Sequence, residues 1–300
     1  MRDEVLNSKF LWTCTMCGRC TMQCPMNVDI AGLVRTVRGM LVSQGVYAPG
    51  FLQDVVNAQI NTGNQMEVTQ EDYLETLEWM AEETANELGD PNIKIEVDKV
   101  GADYLYLWDP REIKYYPQDI ASILTIMYAA GANWTCSSRW WDATHYALFS
   151  GDDEASRVML ERIKGEYDRL QAKVVVVTEC GHAFRSVRWG YRTFWKGPQF
   201  PVRFVLELID EWIQEGRLKL DPTQNPEPVT LHDPCNIVRK EGVAEPQRRL
   251  LSGDDSRCLG QRLSGLEFAF GVDNLRSLFT LGLGLAGHCP LHRLRQLDVL

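Results

Sequence analysis

The chain contains 300 residues, of which 45% are hydrophobic and 24% are charged, a balance typical of a globular protein with a sizeable core. Its net charge of −10 argues against nucleic acid as a partner, because binding phosphate groups requires a basic surface. No apolar run approaches the roughly 20 residues needed to span a bilayer, and residues 1–10 lack the apolar region of a signal peptide. We therefore expect a cytoplasmic protein with no membrane span of its own, whose only route to a membrane is through partner subunits.

Four closely spaced cysteines lie near the start of the chain. Cys14, Cys17, Cys20 and Cys24, followed by Pro25, form the pattern C-x2-C-x2-C-x3-C-P, which is typical of [4Fe–4S] binding. Thiolates are soft ligands that suit iron, and the two-residue gaps let one loop present three sulfurs to a single cluster. A zinc site with four thiolates is the alternative, although such sites normally use two separated C-x2-C pairs. The sequence therefore predicts a [4Fe–4S] cluster bound by these four cysteines.

The chain contains one run of this kind, whereas in two-cluster proteins the fourth cysteine of such a run binds the other cluster. Three alternatives stay open: Cys24 completes the same cluster, a later cysteine does, or a partner motif is missing from the chain. Cys289, which is followed by Pro290, is a remote candidate for the later cysteine.

The residues after the cysteines predict helices. Asp29 can cap a helix over residues 30–45, which Gly45 would end. Residues 67–90 contain nine acids and no Lys or Arg, but their apolar residues recur at helical spacing. We interpret this segment as a helix with a solvated acidic face rather than as a binding site. Residues 1–91 are accordingly predicted to be a helical, ferredoxin-like iron–sulfur domain.

Strands and helices alternate in the next part of the chain, residues 92–251. Strands are predicted at 93–97, 103–108, 133–138, 173–179 and 228–233, and helices at 117–132, 152–171 and 200–216. This alternation predicts an α/β domain with a Rossmann-like parallel sheet and helices on both faces.

Three further cysteines follow predicted strands, namely Cys136, Cys180 and Cys235. The carboxyl ends of parallel strands meet at one edge of a sheet, where such folds bind ligands. Each cysteine is either a small buried residue or a thiolate that binds metal or reacts in a shared crevice. We take Cys180 and Cys235 as candidate catalytic residues, and all three cysteines as candidate ligands of a second metal site.

Residues 182–203 interleave arginines with aromatic residues, a composition that also occurs in nucleic-acid stacking surfaces. However, Arg185, Arg188 and Arg192 share one face of a helix. We therefore expect a helix that packs on the sheet, with these arginines facing the acidic segment, an anionic substrate or a cluster.

Several segments resemble the heterodisulfide-reductase-type iron–sulfur proteins. Residues 3–30, DEVLNSKFLWTCTMCGRCTMQCPMNVDI, resemble the second cluster motif of that family, and TECGHAFRS and LHDPCNIVRK resemble segments of its B and D subunits, which carry cysteine-rich CCG domains. The resemblance spans residues 1–251 and is strongest to the branch found in membrane-bound electron-transfer complexes of sulfur metabolism. Since the first motif of the family lies upstream of the second, we expect this chain to be a fragment that begins between them.

The resemblance also implies further cofactors and partners. It implies a noncubane iron–sulfur cluster bound by Cys235 together with later cysteines, with Cys136 and Cys180 matching a degenerate first CCG domain. It further implies reduction of a disulfide or a sulfur-carrier substrate at that cluster, and other redox subunits as partners.

The tail departs from the family. Where a Cys-Cys-Gly run is expected, the chain has residues 265–292, and residues 252–300 contain 12 Leu but no Lys, Ile, Met, Tyr or Trp. We interpret the tail as a frameshift or a divergent end, which would leave the noncubane site incomplete.

Several functions stay open. The first is an oxidoreductase subunit that passes electrons from a [4Fe–4S] cluster to a second cysteine-bound cluster, where sulfur compounds are reduced. The second is a non-catalytic electron relay in a respiratory complex. Further alternatives are an iron–sulfur subunit of a glycolate- or glycerol-3-phosphate-type dehydrogenase and a zinc-stabilised interaction module.

Overall fold

In the part of the chain that the structure describes, four strands form one parallel sheet. The computed structural model describes residues 9–178, 180–195, 197, 200–220 and 231–252. The strands are β1 (Tyr104–Leu107), β2 (Trp134–Cys136), β3 (Val174–Val177) and β4 (Val202–Phe204), arranged in the order β2-β1-β3-β4. Every pairing is parallel, which confirms the predicted α/β class.

Helices connect and surround the strands. They are α1 (Lys9–Thr13), α2 (Arg19–Gln23), α3 (Ile30–Val42), α4 (Phe51–Thr62), α5 (Gln70–Leu88), α6 (Pro110–Lys114), α7 (Pro117–Ala129), α8 (Ala147–Ser150), α9 (Asp153–Leu170), α10 (Gly181–Phe194), α11 (Val205–Gln214), a π-helix (Cys235–Lys240) and α12 (Glu245–Ser252). Polar caps explain where two of them begin: the Thr69 side chain accepts a hydrogen bond from the Asp72 N–H at 3.0 Å, and Asp152 accepts one from the Ala155 N–H at 2.9 Å. Each such cap stabilises a helix by about 1 kcal/mol.

The two faces of the sheet bury separate cores, because side chains alternate along each strand. Val176 belongs to the core that α5, α7 and α11 cover, whereas Val175 and Val177 belong to the core under α9 and α10. Helices therefore cover both faces, as predicted. From β1, the chain adds β2 on one side of the sheet and then β3 and β4 on the other. The strand order therefore reverses between β1 and β3, and the carboxyl ends of these two strands form the topological switch point of the sheet.

The helices near the start of the chain lie beside this sheet. Leu11, Met16 and Val34 form a small core with Leu148 and Phe149 of α8. In contrast, α5 packs directly on the sheet core and leaves its acids exposed, which confirms the predicted solvated face. The ferredoxin-like character of the first 91 residues and the proposed domain boundaries stay predictions.

Three predicted elements differ from the structure. Residues 93–97 form no strand: only Val97 makes a single bridge, to Cys136, while Lys94 forms an ion pair with Glu96. Residues 200–216 are not one helix, because β4 pairs with β3 before α11 begins. The strand predicted at 228–233 lies partly outside the described residues, and residues 231–233 are not in a strand.

The atypical tail lies outside the described residues, apart from Ser252 at the end of α12. Cys258 and Cys289 are therefore not placed. None of the helices in the described ranges combines the length and the apolarity that crossing a membrane requires.

Candidate functional site

The four N-terminal cysteines lie in a tight loop that includes α2; we call residues 14–24 the cysteine loop. The backbone is left-handed at Met16 (φ 54°) and at Gly18 (φ 76°), a conformation that normally favours glycine. The Met16 side chain is 1% exposed, so burial helps to hold this residue in place. A Cβ at Gly18 would lie 2.9 Å from Cε of Lys240, so the end of this flexible side chain lies against the loop.

The thiols of the cysteine loop are accessible to different degrees. Cys14, Cys17 and Cys24 are partly buried, whereas Cys20 is exposed. The Arg19 backbone N–H donates a hydrogen bond to the Cys17 thiol and lowers its pKa, an effect that burial opposes. A lowered pKa favours the thiolate, which is the form that binds metal.

The donor chemistry of this loop fits an iron–sulfur cluster, because it supplies four soft ligands within eleven residues. In the described parts of the chain, no group of three or more His, Cys, Asp or Glu side chains is assembled closely enough to hold a metal ion. The fit therefore rests on the number, type and spacing of the thiols and on the hydrogen bond to Cys17.

Arg38 of α3 binds the backbone at the start of the cysteine loop. Its side chain is almost completely buried, and its guanidinium donates hydrogen bonds to the carbonyl oxygens of Leu11 (2.9 Å), Cys14 (2.7 Å) and Phe149 (2.5 Å). The guanidinium also lies 5.4 Å from the ring centre of Trp12. Burial lowers the pKa of Arg38, and the charge of Cys14 opposes this shift.

Arg185 of α10 holds the next residues of the loop. Its Nη1 donates hydrogen bonds to the carbonyl oxygen of Met16 at 3.0 Å and to Oδ1 of Asn236 at 2.9 Å. Burial lowers the pKa of Arg185, and the charges of Cys235, Glu241, Asp29 and Cys17 raise it, in that order. Arg185 thus connects the cysteine loop, α10 and the π-helix.

The other two arginines predicted on this face have a different partner. Arg188 Nε and Arg192 Nη2 lie 3.3 Å and 3.4 Å from Oε2 of Glu241, at the end of the π-helix. None of the three arginines faces the acidic residues of α5 in the described contacts, and Arg185 faces the cysteine loop.

Cys180 and Cys235 lie at the starts of two neighbouring helices. Cys180 is the N-cap of α10, and Cys235 is the first residue of the π-helix. A Cβ at Gly181 would lie 2.9 Å from Cγ1 of Ile237 and 3.3 Å from Cβ of Asn236. The first turn of α10 is therefore in close contact with the first turn of the π-helix. Of the three cysteines predicted to follow strands, the structure thus brings together the segments that carry Cys180 and Cys235.

Cys136 lies elsewhere. It is fully buried in the core under α5 and α7, together with Tyr106 and Trp134, whereas Cys180 lies in the core on the opposite face. Burial raises the pKa of the Cys136 thiol to about 11. A role for Cys136 as a ligand shared with Cys180 and Cys235 therefore gains no support from its position and stays a prediction.

Sequence reasoning did not assign a role to Arg38, Asn236 or His182. Asn236 and His182 lie inside the segments that carry the family resemblance, which is the signal that could have identified them. The His182 ring stacks on Tyr146 at 5.5 Å beside Cys180, and burial lowers its pKa to about 4. Arg38 had no such signal, because its burial depends on carbonyl groups that are distant in the sequence.

The chain is similar in sequence to several known iron–sulfur proteins. It is 24% identical to an Hdr-like menaquinol oxidoreductase iron-sulfur subunit of Archaeoglobus profundus, over 81% of this chain and 50% of that protein. It is 23% identical to subunit 2 of the same type from Archaeoglobus fulgidus, over 84% of this chain and 52% of the relative. It is also 24% identical to the D subunit of a dihydromethanophenazine:CoB--CoM heterodisulfide reductase from Methanosarcina barkeri, over 80% of this chain and 56% of the relative.

The chain spans about half the length of the curated relatives it matches. No family model matches it. No solved structure shows a significant match.

Proposed function

We propose that this chain, an iron–sulfur protein related to heterodisulfide reductase, is an electron-transfer subunit of a multi-subunit redox complex. The observation that carries the proposal is the cysteine loop, which carries four thiols and whose carbonyl oxygens of Cys14 and Met16 are bound by the buried arginines Arg38 and Arg185. Several relatives are named as subunits of such complexes, which supports redox proteins as partners.

The residues proposed to bind the cluster are Cys14, Cys17, Cys20 and Cys24. A [4Fe–4S] cluster supplies one-electron transfer when it is bound. The chain contributes the thiolates, the hydrogen bond from Arg19 N–H to Cys17, and a backbone fixed by Arg38 and Arg185. Cys20 is exposed, and Met22 and Met26 beside it are 67% and 80% exposed, so this side of the loop is accessible to a redox partner.

The more specific function, reduction of a disulfide or related sulfur compound, is a second proposal. It is favoured by the contact between the start of α10 and the start of the π-helix, which carry Cys180 and Cys235. Arg185 interacts with both Cys235 and the cysteine loop, so a second cluster or a reactive thiol here would lie next to the first. A non-catalytic relay and a dehydrogenase subunit remain the alternatives to this proposal.

The test of the electron-transfer role is anaerobic reconstitution of the full chain with iron and sulfide. We expect brown protein with about four iron atoms per loop-bound cluster and an electron paramagnetic resonance signal after reduction. Replacing Cys14, Cys17 or Cys20 singly by Ser should remove most of that signal. Met22→Ala is the matched control, because it changes an exposed side chain of the same loop and leaves all four thiols in place.

Two results would contradict the proposal. An unchanged iron content and signal in all three loop variants would show that the loop does not bind the cluster. A colourless protein that binds one zinc ion through the loop would instead support the interaction-module alternative.

A further inference from the structure

Two arginines beside the cysteine loop are buried without an acidic partner. Arg38 is 1% exposed and Arg185 is 9% exposed. In the part of the chain that the structure describes, neither guanidinium forms an ion pair with a carboxylate; their acceptors are backbone carbonyl oxygens and the Asn236 side chain. A buried charge is costly unless an opposite charge compensates it, so these two positions need a source of negative charge.

The nearby acids do not provide that charge directly. Two acids, Glu241 and Asp29, raise the pKa of Arg185. Glu241 forms ion pairs with Arg188 and Arg192, and Asp29 lies 3.4 Å from Nζ of Lys240. For Arg38, Cys14 is the one group that raises the pKa against burial. The cysteine loop lies beside both arginines, so a cluster bound there would supply the negative charge that they lack.

Both arginines also fix the shape of the loop. Arg38 connects the carbonyl oxygens of Leu11 and Cys14 to that of Phe149 in α8. Arg185 binds the carbonyl oxygen of Met16, the residue whose left-handed backbone sets the turn between Cys14 and Cys17. The two guanidinium groups therefore hold consecutive parts of the loop from two different helices.

We infer that Arg38 and Arg185 are positioning residues that raise the reduction potential of the cluster proposed for the cysteine loop, an inference that rests on the proposed electron-transfer function. Reduction adds a negative charge to an already anionic cluster. Two fixed positive charges in a desolvated setting stabilise that added charge, because solvent and salt screen them little. Hydrogen bonding and burial around cluster ligands are the means by which a protein adjusts a reduction potential.

The experiment is a redox titration of the reconstituted full chain, monitored by electron paramagnetic resonance. Arg38→Gln and Arg185→Gln remove the charge and keep a hydrogen-bond donor, whereas Arg38→Lys and Arg185→Lys keep the charge. We expect each Gln variant to reduce the ratio of reduced to oxidised cluster about tenfold at a fixed solution potential, which corresponds to a shift of about 59 mV to lower potential. The Lys variants should retain most of the wild-type potential.

Arg162→Gln is the matched control. Arg162 donates hydrogen bonds to the carbonyl oxygens of Gln59 (3.0 Å) and Ile60 (2.8 Å), and its guanidinium lies 4.0 Å from the ring centre of Trp140. It thus binds carbonyl groups and an aromatic ring as Arg38 does, but at the end of α4 rather than at the cysteine loop. Its replacement should leave the potential unchanged.

The outcomes separate this inference from the proposed function. A wild-type chain that binds no reducible cluster refutes the proposed function and this inference with it. A cluster that keeps its wild-type potential in the Gln variants refutes the inference alone, as does an equal shift in Arg162→Gln. Arg38→Gln and Arg38→Lys could both lose the cluster while circular dichroism shows a native fold. The inference is then tested by Arg185→Gln and Arg185→Lys, and an unchanged reduction potential in Arg185→Gln overturns it.

Discussion

Replacing Gly151 by Ala tests the contact that places Arg38 at the cysteine loop. Gly151 ends α8 with a left-handed backbone (φ 85°), directly beside α3. A Cβ at this position would lie 2.6 Å from the carbonyl carbon of Arg38 and 2.7 Å from the backbone nitrogen of Gly39. These are backbone atoms of a helix, so the clash cannot be relieved by rotating a side chain.

The magnitude follows from two costs. A left-handed backbone costs an alanine about 1–2 kcal/mol relative to the right-handed form, and forcing an extra methyl group into a packed contact costs about 1–3 kcal/mol. We therefore expect Gly151→Ala to lower the free energy of unfolding by roughly 2–5 kcal/mol. For a fold of this size each kcal/mol lowers Tm by about 2–4 °C, so the decrease should be on the order of 10 °C.

Gly45→Ala is the control that isolates the clash. Gly45 has a similar backbone (φ 77°) just after α3, but a Cβ there would have no atom within 4 Å. Gly45→Ala should therefore cost only the strain of an alanine with a left-handed backbone, about 1–2 kcal/mol. Both variants would be measured by thermal and urea unfolding of the cluster-free chain, followed by circular dichroism.

A Gly151→Ala chain that is no less stable than Gly45→Ala would refute the reasoning, because the two differ in the contact with α3. If the clash instead moves α3 away from α8, the hydrogen bonds from Arg38 to Phe149 and Cys14 cannot both persist. The same variant should then retain less iron after reconstitution, whereas Gly45→Ala should retain the wild-type amount.

Two further predictions concern side chains at the carboxyl edge of the sheet. Burial lowers the pKa of His145 to about 4, so His145 is protonated at a higher pH in the unfolded chain than in the folded one, and the folded state loses stability as the pH falls from about 6.5 towards 4. We expect the free energy of unfolding to fall by about 2 kcal/mol between pH 7 and pH 5. An equally steep fall in a His145→Leu chain would contradict the attribution of this pH dependence to His145. Replacing Cys235 by Ser should change the rate at which a thiol reagent modifies Cys180, because their segments are in contact, and independent labelling would argue against a shared site.

The sheet was largely predictable because its signal is local. Val174–Val177 is an unbroken β-branched run, which is typical of a strand buried on both faces. The strand β4 was missed because Val202 and the apolar residues of α11 continue one helical pattern in sequence. What makes residues 202–204 a strand is their pairing with β3, with Val175 opposite Val202, and a local pattern does not contain that information.

The candidate site was predictable to a smaller extent. Spacing singled out the four cysteines as candidates, and the end of β3 indicated where Cys180 lies. The strand predicted before Cys235 is not seen in the described residues, so the contact between the segments of Cys180 and Cys235 comes from the structure. The alternation of side chains could have separated Cys136 from Cys180, because Cys136 shares a face with Trp134 inside a regular strand. Arg38 was not predictable, since a single arginine in an amphipathic helix is normally exposed, and here its partners are 27 and 111 residues away.

The distribution of charge connects these observations. The chain has a net charge of −10, yet the groups around the cysteine loop include Arg38, Arg185 and Lys240. Seven acids and no Lys or Arg lie on α5, which covers the sheet face opposite α10 and exposes these acids to water. Exposed charges are screened within about 8 Å at physiological ionic strength, whereas buried ones are screened much less. If the cysteine loop binds the proposed cluster, the two buried arginines should therefore affect its reduction potential more than the exposed acids of α5 do, and Arg38→Gln and Arg185→Gln should lower that potential.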